Sequence, residues 1–198
     1  MGTEPIDWMQ PPVGGWTFDQ ANELDLPFKW ELVDGTIVAR GRTIAVKGQT
    51  PWWHDRVRDR LLVELLAAGS GPYDVSAERA VLLDGRGVVL PDLVVFDGTG
   101  LQVGELLCTP VESVVLAIEV VSPGSRVADR FTKPGLYAEK GVPSYWRVER
   151  GDDDVPVVHE FRLDREQGVY LPVAVHEGSL RTELPFPVEI DLKRFVKR

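Results

Sequence analysis

The sequence predicts an α/β (α+β) protein in which a mixed β-sheet is flanked by helices and followed by a C-terminal β-hairpin. Three observations carry this expectation. Trp53, Val57, Leu61, Leu65 and Ala68 recur at helical spacing, with Leu62 and Leu66 widening the stripe. Residues 88–96 and 114–121 are nearly continuous apolar, β-branched runs, the pattern of strands covered on both faces. Residues 155–163 and 169–175 are two extended segments joined by polar residues, as in a hairpin.

The elements follow in order. Residues 1–15, rich in Pro and Gly, read as an irregular arm, with 16–198 as a single domain. Thr17 is placed to cap a short helix through Phe18, Ala21 and Leu24. Residues 29–40 alternate on either side of Asp34-Gly35, a strong hairpin turn signal. Thr50 as N-cap and Pro51 at the first helical position open the long helix, and Gly69-Ser70-Gly71 stops it. Residues 73–83 make one strand or two. A second helix spans 129–140 and is closed by Gly141. Pro134 belongs in a first turn, so its regular part should start near Thr132. Residues 144–149 form a strand, 151–154 a solvated turn, and a short tail follows the hairpin.

Composition narrows the function classes. The 198 residues are enough to bury a sizeable core. One cysteine, Cys108, allows no internal disulfide, and no Cys/His spacing suits zinc. The N-terminus lacks a basic-then-apolar leader, and no apolar run approaches the ~20 residues that cross a bilayer. A cytoplasmic protein without membrane association is expected. The formal charge of −9 argues against a broad basic surface for nucleic acid. It leaves room for a nuclease, because metal-binding carboxylates themselves add negative charge.

Two acids stand out. Glu119 interrupts the apolar run 114–121, and Asp92 the run 88–96. A carboxylate inside such a strand is costly to bury unless its charge is compensated. Placement at strand ends, where open α/β sheets hold ligands, or beside a cation would relieve that cost. Pro91 removes a backbone donor and marks an edge or an interruption. If the two strands are neighbours, Asp92 and Glu119 converge on one site suited to Mg²⁺, which needs few protein ligands. The alternative is that each acid accepts backbone hydrogen bonds or pairs with an arginine such as Arg79 or Arg126.

These residues also carry a resemblance. The order Glu31-Leu32-Val33-Asp34-Gly35, His54, Pro91-Asp92, then Ile118-Glu119-Val120-Val121-Ser122-Pro123 is similar to the Uma-two family. So are Asp129-Arg130, Lys133, Leu136-Tyr137 and Gly141-Val142-Pro143-Ser144-Tyr145-Trp146, and the match runs from about residue 18 to 170. That family belongs to the PD-(D/E)XK, restriction-endonuclease-like superfamily. The resemblance implies Mg²⁺- (or Mn²⁺-) dependent hydrolysis of DNA phosphodiesters, with Asp92 and Glu119 as metal ligands and the Val120 carbonyl as a third. It is also compatible with a homodimer.

One position departs from the superfamily pattern: the lysine expected two after Glu119 is Val121. The resemblance assigns its role to Lys133, which on its own reads as a solvated helix lysine. His54 and Glu31 are supporting candidates, against readings as a partly exposed residue beside Arg58 and a strand-edge carboxylate. His159 and His176 receive no role. Trp30, Trp52, Trp53, Tyr137, Tyr145 and Trp146 read as core or interface. A catalytically degenerate nuclease-fold binding or regulatory module is the alternative function, and a hydrolase of other phosphate esters a third.

Overall fold

The computed structural model describes residues 7–39, 52–69 and 71–196. Thr17 caps α1 (Phe18–Asn22) in a reciprocal capping box with Gln20. Strands β1 (Trp30–Val33) and β2 (Thr36–Ala39) form the expected hairpin, with both Asp34 and Gly35 at positive φ. Gly35 has a second constraint: a Cβ there would lie 3.0 Å from the Gly15 Cα. The arm is therefore laid against this turn, and Trp16 donates its backbone N–H to the Gly35 carbonyl.

Helix α2 (Trp52–Ala68) buries the predicted stripe of Trp53, Val57, Leu61 and Leu65. Its expected start at Thr50 and Pro51, with Arg40 and Ser70, lies outside the described residues. Strands β3 (Tyr73–Ala77), β4 (Val81–Asp84), β5 (Gly87–Val89), β6 (Leu93–Asp97), β7 (Thr109–Pro110) and β8 (Val114–Val120) follow. Then come α3 (Lys133–Glu139), β9 (Ser144–Arg150), β10 (Pro156–Asp164), β11 (Val169–Glu177), β12 (Ser179–Thr182) and β13 (Val188–Asp191).

Among the described residues the strands are divided among three sheets. A six-stranded sheet runs β11-β10-β9-β8-β6-β3, with β8 and β9 parallel and its other pairs antiparallel. A five-stranded sheet runs β2-β1-β5-β4-β7, and β12-β13 form a separate ribbon. The six-stranded sheet is the expected central mixed sheet. The division corrects the reading of 88–96 as one strand: β5 belongs to the smaller sheet and β6 to the larger. The break falls at Leu90-Pro91-Asp92, where proline cannot donate to a ladder. The predicted tail likewise carries the β12-β13 hairpin.

The larger sheet is covered on both sides. Leu93, Val95, Leu116, Ile118, Val120, Trp146 and Val148 pack with the buried stripe of α2. Val94, Phe96, Ala117 and Tyr145 pack with Tyr137 of α3. That two-sided burial explains the unbroken apolar reading of β6 and β8. Leu61 is fully buried at the centre of the α2 layer. Leu61→Ala is expected to cost about 2–5 kcal/mol in chemical denaturation; a loss below about 1 kcal/mol would show that the layer repacks.

The segment before α3 differs from the expected helix. Ala128–Thr132 form a π-helical turn, and regular α-helix begins only at Lys133, with Pro134 in the first turn. No helix among the described residues is long and apolar enough to cross a membrane.

Candidate active site

Strands β6 and β8 run antiparallel, with Leu93 opposite Ile118. Asp92 precedes Leu93 and Glu119 follows Ile118, so the two acids meet at the same end of neighbouring strands. Asp92 Oδ2 accepts the N–H of Val120, the residue after Glu119, at 2.8 Å. Both side chains are buried, Glu119 completely and Asp92 to 5% exposure.

Each acid is met by a helix from a different side. On the α2 side, His54 Nε2 lies 3.3 Å from Asp92 Oδ2, while its Nδ1 lies 3.3 Å from Asp55 Oδ1. Burial alone would lower the His54 pKa, but Asp92 and Asp55 outweigh it and raise it above its ordinary value. His54 is thus a buried partner of Asp92, not the partly exposed residue weighed above.

On the α3 side, Lys133 Nζ donates to Glu119 Oε1 at 2.8 Å and to the Leu90 carbonyl at 3.0 Å. It also lies 3.4 Å from Glu31 Oε1. Only 2% of Lys133 is exposed, so the solvated-lysine reading is overturned. Starting the helix at Lys133 places this ammonium at the sheet end. Tyr137, one helical turn later, donates its hydroxyl to the same Glu119 oxygen at 2.8 Å. Burial first, and then the Glu119 carboxylate, push the phenol pKa well above its ordinary value, so it stays a proton donor.

Glu31 completes the arrangement from the smaller sheet. Its Oε1 accepts the Leu90 N–H at 2.7 Å as well as facing Lys133. Asp92, Glu119, Lys133, His54 and Glu31 are therefore brought together, with Val120 meeting Asp92 through its amide. Sequence reasoning read Tyr137 as core or interface and missed its bond to Glu119; it is fully buried. The available signal was its spacing of four from Lys133. Arg79, weighed as a partner for the acids, instead donates to Thr109 Oγ1 and the Leu106 carbonyl.

An outer ring of charge supports Asp92. The Glu78 N–H donates to the Asp92 carbonyl at 3.0 Å. Arg58, one turn beyond His54, reaches Glu78 at 2.8 Å, and Lys29 pairs with the same carboxylate. Burial would raise the Glu78 pKa, but these two cations hold it below its ordinary value.

The donor set decides which metals fit. Among the described residues, no group of three or more His, Cys, Asp or Glu is arranged to hold an ion. Two carboxylates at adjacent strand ends suit a hard cation that keeps most of its waters, as Mg²⁺ does.

A family model described as "Putative restriction endonuclease", Uma2, matches residues 18–193. The chain belongs to the Uma2 family. No curated protein matches it. The crystal structure of a DUF820 protein from Anabaena variabilis ATCC 29413, titled a putative nuclease, is similar at a TM-score of 0.65. The likeness covers 90% of this chain and 96% of that one at 14% identity. At that identity it shows the fold, so this Uma2 chain shares the architecture of that protein. The two carboxylates lie inside the matched region.

Proposed function

We propose that this chain is a divalent-metal-dependent endonuclease that hydrolyses DNA phosphodiester bonds at Asp92, Glu119 and Lys133. The observation that carries the reading is Lys133 Nζ at 2.8 Å from Glu119. A lysine from α3 supplies the ammonium that the strand lacks at Val121, giving an acid–acid–lysine set at one sheet end. Membership of a family whose description is "Putative restriction endonuclease" favours the same chemistry.

When bound to Asp92 and Glu119, with the Val120 carbonyl as a further oxygen, Mg²⁺ or Mn²⁺ would polarise the phosphate and lower the pKa of water. The protein's own groups do the rest. The Val120 N–H and His54 hold Asp92 in one orientation, and Tyr137 keeps its proton and fixes Glu119. Lys133, steadied by Glu31 and the Leu90 carbonyl, offers positive charge to the phosphate oxygens as negative charge grows on them.

Asp92→Asn and Glu119→Gln are each expected to reduce Mg²⁺- or Mn²⁺-dependent plasmid cleavage at least about 100-fold. Retained cleavage in both variants would overturn the proposal. A second reading, a nuclease-fold binding module without turnover, is favoured by one detail: Glu119 Oε1 is already shared by Lys133 and Tyr137. Thermal unfolding separates the two. A metal-linked rise in midpoint that disappears in Asp92→Asn supports the enzyme. No shift together with no cleavage supports the binding module.

A further inference from the structure

Beyond the buried acids, the far flank of α3 forms one wall of a groove whose opposite wall is the β10–β11 hairpin. The cavity is about 450 Å³, within the size range of small-ligand sites. Its lining includes Arg130, Phe131, Tyr145, Arg147, Phe161 and Tyr170. Tyr145, almost fully buried, packs beneath Phe161 at 5.8 Å and Tyr170 at 5.6 Å, and these two half-buried rings make the aromatic floor of the groove. Phe131 stands at the rim with 72% of its surface exposed.

Two guanidiniums flank this floor. The Arg147 guanidinium lies 5.3 Å from the Phe161 ring centroid. Arg147 Nε and Arg130 Nη2 each engage Glu149, at 2.7 and 2.5 Å. A guanidinium has five N–H donors, so this shared carboxylate orients both arginines without exhausting them. The lining residues include no Asp or Glu, although the chain carries a formal charge of −9. Local cationic charge beside stacked aromatic rings is the chemistry that recognises a nucleotide with its base unstacked. A base within a duplex keeps its faces covered by its neighbours and cannot lie on that floor.

We propose that this groove takes an unpaired nucleotide of a DNA strand, its base against the aromatic floor and its phosphate against Arg130 and Arg147. This rests on the reading of the neighbouring site as a phosphodiester-cleaving centre. Lys133 and Pro134 are consecutive, one facing Glu119 and the other lining the groove, so the acids and the groove share the first turn of α3. The substrate class is then DNA with single-stranded character, such as a flap, a gap or a frayed end.

The test is fluorescence anisotropy without divalent metal, using a short labelled oligothymidylate and a blunt duplex of equal length. Wild type is expected to prefer the single strand. Phe131→Ala should weaken single-strand binding about tenfold while leaving duplex binding unchanged. Arg130→Ala should lower the salt dependence of single-strand binding by about one phosphate contact. Both residues are exposed, so the variants should fold normally. Equal single-strand binding by wild type and Phe131→Ala overturns the proposal, as does a wild type that ignores single strands. A change in sedimentation of Phe131→Ala without loss of oligothymidylate binding also overturns it, making the groove a contact between two copies. Cleavage assays with Mn²⁺ keep the two readings apart. Cleavage with binding insensitive to Phe131 removes the groove and leaves the site. Absent cleavage with binding sensitive to Phe131 removes the nuclease and leaves the groove.

Discussion

Lys133→Met is expected to destabilise the metal-free protein by about 3–5 kcal/mol at neutral pH, measured by urea denaturation with a chelator present. The substitution keeps much of the lysine stem's volume but deletes an ammonium 2.8 Å from a carboxylate that is fully buried. It also removes the cation facing Glu31 and the donor to the Leu90 carbonyl. What is left behind is negative charge in an apolar layer, which costs far more than an ion pair contributes. Adding Glu119→Gln to the same chain should recover part of the loss, because the fully buried charge is then gone and Tyr137 can still donate to the amide oxygen, while Glu31 stays charged. A double-mutant cycle in which the two losses simply add would show that the pair is not coupled. The double variant should be stable and inactive. Lys133→Met should therefore lose stability and turnover together, and the double variant should regain only stability.

Glu160→Ala is expected to cost about 3 kcal/mol, far from any contact with the candidate site. Glu160 is buried on β10 and serves three partners at once. Arg162 Nη2 lies 2.7 Å from Oε1, Thr182 Oγ1 donates to Oε1 at 2.9 Å, and His176 Nε2 lies 2.9 Å from Oε2. Thr182 ends β12, so this carboxylate ties the β12-β13 ribbon to the larger sheet. Arg162 also reaches Ser144 Oγ on β9. Removing the acid leaves a guanidinium and an imidazole without their carboxylate. Amide exchange should accelerate across residues 179–191 before the rest of the protein opens. Unchanged exchange there, together with a stability loss under about 0.5 kcal/mol, would show that the ribbon is held by its apolar contacts alone.

The elements most legible in the sequence are those governed by a single period. The α2 stripe, the Asp34-Gly35 hairpin and the β10–β11 hairpin each follow from local spacing and turn chemistry. Asp92 and Glu119 were legible because a charge inside an apolar strand needs a reason. The site's other half was not available from spacing. Lys133 is identified by resemblance, since nothing local distinguishes a helix lysine that folds inward from one that faces water. Tyr137 could have been paired with it by the helical repeat, but a tyrosine in a helix is ordinary core.

The errors have physical causes as well. Residues 88–96 look like one strand because both halves are buried, and burial does not reveal that they lie in different sheets. Only Pro91 signalled the break. The β12-β13 ribbon was missed because its strands have four residues each, with apolar Leu180, Val188 and Ile190 alternating with polar neighbours. His176 was given no role, since its partner Glu160 lies on another strand and reads there as an ordinary polar residue.

The crossing at Leu90 has an evolutionary consequence. Between the two sheets the chain has no ladder, and the Leu90 N–H and carbonyl are instead taken up by Glu31 and Lys133. Two residues of the candidate site thus act as the seam that joins one sheet to the other. Selection for folding alone would retain them in a lineage that had stopped cutting DNA. Asp92 ties β8 to the same crossing through the Val120 N–H, so these residues of the candidate site would outlast the chemistry in a lineage that kept the architecture.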